Sequence, residues 1–303
     1  MALHLYEGHL HPVPPFEFEY SRRFVQERAL ADIDASQPHT LTYVMPWGAV
    51  GVLVTLRSLG KVESPLVLAQ IQSPLPLTES EQSQIHNTSR FRFGMDEDIQ
   101  PLYTLGWDDD PFADILDEWY GYHQVKFASP FAAACWGWLR EQGGLAAGAK
   151  MWANLLTLGP GQAYETNQLH AFPNAAQLVA AGPEQLGSHL FDAALGSGLW
   201  ELARAFPGSA IAGEPAGPPS PHTLSAIQSW LTEECRLTPA ARHQLLSGGL
   251  GLMDTLELPP EQILAIAQQI YGADLQLEAL QKMMARYESW QGYWYHYLGL
   301  PKH

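Results

Sequence analysis

Residues 236–254, RLTPAARHQLLSGGLGLMD, open a helix that lies between two others. Pro239 stands at the early helical position that tolerates a residue without an N–H, and apolar residues then recur at three- and four-residue intervals, so a helix is expected over Pro239–Ser247. The same period marks Thr223–Glu234 before the stretch and Pro259–Tyr271 and Leu275–Tyr297 after it.

Moving toward the N-terminus, the helical period extends back to about Asp96, through Pro111–Tyr120, Pro130–Glu141, Gly144–Leu156, Ala175–Ala181, Pro183–Phe191 and Leu195–Phe206. The segment Phe206–Pro221 is too rich in Gly and Pro for a helix and is expected to be a loop or linker. Before Asp96 the pattern differs. Thr40–Val44, Ala49–Leu56 and Leu66–Gln72 are short, β-branched or apolar runs separated by turn residues, which predicts a small antiparallel sheet. Ser21–Leu30 predicts a helix beside it, and Leu75–Gln82 a proline-started turn into another. The expected fold class is α+β, with an antiparallel β domain over 1–92 and an all-α region over 93–303.

A chain of 303 residues with 46% hydrophobic content can bury sizeable cores. It has no run of about 18 apolar residues and no leader pattern at Met1, so no membrane partner is expected and the cytoplasm is the expected compartment. Cys135 and Cys235 lack metal or redox spacing and read as small core hydrophobes. His4, His9 and His11 form a loose group without ligand spacing, so no metal and no cofactor are expected. The triplets Asp96-Glu97-Asp98 and Asp108-Asp109-Asp110 read as solvated helix-capping acids. Sixteen Lys and Arg against 32 Asp and Glu leave a net charge of −16, the wrong sign for replacing counterions around DNA phosphates. The basic residues Arg140, Lys150, Arg236, Arg242, Lys282 and Arg286 are scattered along the chain.

Six segments in order carry a resemblance to a known family: PPFEFEYSRRF, FGMDEDIQPLYTL, SPFAAACWGWLREQGGLA, AFPNAAQLVAAGPEQL, the 236–254 stretch and ARYESWQGYWYHYLG. Together they resemble the 3-methyladenine DNA glycosylase II family of the helix-hairpin-helix superfamily, whose hairpin reads GIGPWTAxxxLLRGLGRxD. Leu237, Pro239, Leu245, Leu246, Gly249, Leu250, Gly251 and Asp254 fall in register with it. The resemblance implies a β domain followed by two helical subdomains with a cleft between them, and ancestry in base-excision repair with DNA as a partner.

The same overlay places unlike residues at each working position. Arg236 and Thr238 stand where the family has the glycines that let backbone N–H groups approach a phosphate, with Arg242 close behind as a further DNA-contacting candidate. The family's catalytic aspartate falls at Pro260; Glu261, one residue on, and Glu257 are the carboxylates that could replace it. The aromatic base-pocket positions hold Ala240, Gln244 and Trp290, of which only Trp290 is aromatic, while Tyr287, Tyr293, Trp294 and Tyr297 read as core. Ala240 also occupies the place of the Schiff-base lysine, so no β-lyase chemistry is expected. The resulting expectation is a glycosylase-like protein without ordinary base excision, serving as a DNA-binding or regulatory paralogue. Two alternatives remain open: an active monofunctional N-glycosylase using Glu261 or Glu257, and a protein-interaction module.

Overall fold

The computed structural model describes residues 3–28, 30–48, 50–161, 169–207, 219–233, 237–254 and 256–301. A five-stranded antiparallel sheet occupies the N-terminal part: β1 (His4–Leu10), β2 (Ile33–Asp34), β3 (Thr40–Trp47), β4 (Val50–Ser58) and β5 (Val67–Ser73), in the order β1-β5-β4-β3-β2. Register follows the alternation of buried side chains, with Val54 opposite both Tyr43 and Ile71. The helices α1 (Phe18–Glu27) and α2 (Glu79–Arg92) accompany it. Thr78 starts α2 with a reciprocal capping box to Glu81, and the buried Tyr43 and Ser89 hydroxyls meet at 2.7 Å to fasten it to β3.

The helical region divides into two halves. One combines α3 (Gln100–Gly106) and α4 (Asp110–Glu118) with the C-terminal α11 (Pro260–Tyr271), α12 (Leu277–Arg286) and α13 (Gln291–Leu298). The other runs through α5 (Pro130–Glu141), α6 (Gly144–Leu156), α7 (Ala175–Leu190), α8 (Ala193–Ala205), α9 (Pro221–Glu233) and α10 (Pro239–His243). Gly182, at φ +79° and ψ 162°, breaks the helical backbone inside α7, so the two helices expected on either side of it, Ala175–Ala181 and Pro183–Phe191, are both present.

Two expectations need correction, and two strands were not expected. β1 and β2 were not foreseen, because HLYEGHL has no apolar face, with Leu5, Glu7 and His9 exposed and His4, Tyr6 and Gly8 half-buried, and β2 has only two residues. The turn expected over Leu75–Gln82 does lead into a helix, which begins after Thr78 and continues to Arg92. Pro239–Ser247 starts as an α-helix but widens into a π-helical turn over Gln244–Gly249. Leu275–Tyr297 is not one helix: Glu288 adopts φ +44° and a short 3₁₀ turn separates α12 from α13.

The acidic triplets are not solvated throughout, contrary to expectation. Asp109 is buried and accepts hydrogen bonds from the hydroxyls of Tyr271 (2.9 Å) and Tyr287 (2.7 Å), tying α4 to α11 and the end of α12. Glu97 receives both the buried Lys126 ammonium and the Tyr293 hydroxyl. Tyr287 and Tyr297 are held protonated well above the usual phenol range, chiefly by burial. Cys135 is buried, and desolvation pushes its thiol up, away from nucleophilic use; Cys235 lies outside the described residues.

Candidate functional site: a cavity behind the hairpin helix

Helix α10 lies against α5 because Gly137 has no side chain. A Cβ on Gly137 would lie 2.8 Å from the Cα of Ala241, so the two backbones can approach this closely only with glycine there. Gly137→Ala is therefore expected to push α10 outward and lower stability by about 1–3 kcal/mol, measurable as a reduced urea midpoint. The far end of the stretch is fixed by Gly251, whose φ of +69° turns the chain over the Lys126 side chain.

A cavity of about 420 Å³ opens beside α10. α1 and the residues following it supply Phe24, Arg28 and Leu30, and α5 supplies Trp136, Gly137, Arg140 and Glu141. The hairpin helix contributes Ala240, Ala241, His243 and Gln244, while α13 adds Tyr295 and His296. Gln124, Val125 and Phe127 come from the segment between α4 and α5, and Ser247, Leu258, Ile266 and Gly299 complete the wall.

Burial dominates the electrostatics of this wall. His296 is pushed down to about 3, first by desolvation and then by the charge of Arg28, while its ring nitrogen meets the Tyr122 hydroxyl at 3.0 Å. His243 is pushed down to about 4 by burial, edge-on to Tyr295. Both rings are neutral at pH 7.

Ala240 and Gln244 line the cavity. Trp290 does not; it is half-buried and packs 5.6 Å from Tyr293. Glu257 and Glu261 are both exposed and absent from the cavity wall, as is Pro260; Glu261 occupies the first turn of α11, where an acid suits the helix dipole. Thr238 caps α10, its hydroxyl oxygen accepting from the Ala241 N–H at 3.4 Å and donating to Glu141. Arg242 is half-buried, with an Nε that has no hydrogen-bond partner, and Arg236 lies outside the described residues.

Among the other cations, Arg286 donates to the carbonyls of Leu105 and Asp108, Lys282 pairs with Glu278 at 2.7 Å, and Lys150 sits over the Phe191 ring. Sequence reasoning missed Arg28, Gln124 and Glu141, all distant from the hairpin along the chain. Among the described residues no His, Cys, Asp and Glu cluster is arranged to hold a metal ion, and no helix is long and apolar enough to cross a membrane.

The arrangement of sheet and helices is shared with solved proteins. The 3-methyladenine DNA-glycosylase from Archaeoglobus fulgidus superimposes with a TM-score of 0.75 over 96% of each chain at 13% identity. The fold is that of the DNA glycosylases. MBOgg1, solved with a low affinity DNA ligand, matches this glycosylase fold with a TM-score of 0.69 over 98% of this chain and 97% of that one, at 14% identity. The apo 8-oxoguanine glycosylase/lyase of Clostridium acetobutylicum matches with a TM-score of 0.66 over 98% and 97%, at 12% identity. No family model and no curated protein matches the sequence.

Proposed function

We propose that this chain is a glycosylase-fold protein that has lost ordinary base excision and acts as a binding or regulatory paralogue, with DNA as a weakly held partner. The observation that carries the reading is that no usable acid faces the cavity among the described residues: Glu257 and Glu261 are exposed and away from it, and the lining carboxylate, Glu141, is engaged by Thr238. A group that stabilises a developing sugar cation must be held within a fraction of an ångström of its working position, and a solvated carboxylate on another surface does not meet that need.

The DNA grip is weakened for a related reason. Thr238 uses its side-chain oxygen on the first turn of α10 and draws Glu141 to the same place, so the end of the hairpin presents a carboxylate where a phosphate would need free N–H donors. A net charge of −16 adds to that repulsion.

The test is release of 3-methyladenine and 7-methylguanine from methylated duplex DNA, with Glu257→Gln and Glu261→Gln run alongside. Background release from all three proteins is expected. Robust release that either substitution abolishes would establish the opposite reading, an active monofunctional N-glycosylase.

A further inference from the structure

The cavity carries a charge pattern opposite to what a cationic alkylated purine would require. Arg28 from α1 and Arg140 from α5 reach its wall from separate elements. Among the described residues Arg140 makes no hydrogen bond or ion pair, and Arg28 makes only a 3.5 Å contact with the Gly299 carbonyl and a stacking contact with Phe24. Both guanidiniums line one cavity, and burial first and the Arg28 charge second pull the Arg140 pKa below its ordinary value. An anion entering the cavity would supply the acceptors that both guanidiniums lack.

A second, independent feature points to what accompanies the anion. Gln124 is only 3% exposed, lies on the cavity wall, and its Oε1 has no hydrogen-bond partner. A carboxamide offers a donor and an acceptor in one plane, the complement of a nucleobase edge. The rings of Phe24, Phe127, Trp136 and Tyr295 line the same wall and give it an aromatic surface suited to a heteroaromatic ring. A volume of about 420 Å³ is in the range of small-molecule sites.

We infer that the cavity binds a free nucleoside monophosphate, with the base against the aromatic wall and Gln124 and the phosphate on Arg28 and Arg140. This rests on the proposal that the cavity no longer serves base excision. The 5′-phosphate of a DNA end shares the same chemistry, but a cavity of about 420 Å³ has the volume of a single small ligand rather than of a strand, so the free nucleotide is the ligand to which the structure points.

Calorimetric titration of the full chain with AMP and GMP at low salt tests this, with the corresponding nucleosides, inorganic phosphate and a short 5′-phosphorylated duplex as comparators. Saturable binding of at least one monophosphate is expected, weaker by roughly tenfold for its nucleoside and for Arg140→Gln, the size expected of a lost charge-assisted hydrogen bond. Arg28→Gln should weaken binding similarly, and thermal melts establish that each variant is folded. If Arg140→Gln does not fold, Arg28→Gln and the nucleotide-to-nucleoside comparison in the unmodified protein decide the matter. The inference is overturned if neither monophosphate binds, if nucleoside or inorganic phosphate binds as tightly, if folded variants bind unchanged, or if the phosphorylated duplex binds more tightly. Base release sensitive to Glu261→Gln would instead overturn the loss of excision, whereas silent titrations without base release remove only the nucleotide.

Discussion

Acidification from about pH 7 to about pH 4 is expected to remove several kcal/mol of folding stability, because two cavity histidines resist protonation in the folded state. His296, held at about 3, faces Tyr122, Arg28, His243 and Lys126; His243, held at about 4, faces Tyr295 and His296. In the unfolded chain both rings titrate near about 6.5. Their folded pKa values are depressed, so the contribution of the neutral rings is complete above the unfolded value. It is lost as pH falls, until about 4 for His243 and about 3 for His296.

Between these limits the unfolded chain binds protons that the folded one refuses, and each ring lowers stability by about 1.4 kcal/mol per pH unit. Urea midpoints measured at several pH values should therefore fall steeply below about pH 6, and His296→Gln should remove about half of the slope. An unchanged slope in that variant would show that the ring is not what titrates.

Asp32→Ala should be comparably damaging at neutral pH, costing about 3–5 kcal/mol. Asp32 and Arg92 are each 3% exposed and meet at 2.6 Å, and the second carboxylate oxygen accepts from the Trp152 indole N–H at 3.2 Å. One carboxylate thereby fastens the turn before β2, the end of α2 and the middle of α6. Its removal strands a buried guanidinium that retains a 3.4 Å bond to the Lys126 carbonyl and a cation–π contact 4.7 Å from the Tyr43 centroid. The double substitution Asp32→Ala with Arg92→Met should recover much of the loss, because the uncompensated charge goes with it. Equal destabilisation of single and double variants in chemical denaturation would argue that lost packing, not stranded charge, is responsible.

Helix boundaries were most legible where capping and periodicity agree. Pro130–Glu141 and Gly144–Leu156 begin and end as expected, the first with Ser129 as its cap and Pro130 in its first turn. Signals failed where no local residue announces the structure. Nothing in Arg286–Trp290 marks a break by Gly or Pro, yet Glu288 turns left-handed and divides the expected helix. For the site, the overlay with the hairpin family identified Ala240 and Gln244, which do line the cavity. It could not find Arg28, Gln124 or Glu141, because three separate segments bring them there, and only tertiary packing juxtaposes them. Acid triplets are equally ambiguous in one dimension: Asp109 is a buried acceptor for two tyrosines because α11 and α12 fold over it.

The contact between Thr238 and Glu141 joins residues 97 positions apart. Any attempt to rebuild a phosphate-gripping hairpin in this protein is therefore a two-locus problem. Glycine at 238 would remove the threonine cap but leave the α5 carboxylate, so the change would give little until Glu141 also changed. Changing Glu141 alone would leave the threonine cap in place. If the hairpin has lost a phosphate grip, as proposed, such mutual dependence means that the first single substitution toward regaining it brings no gain.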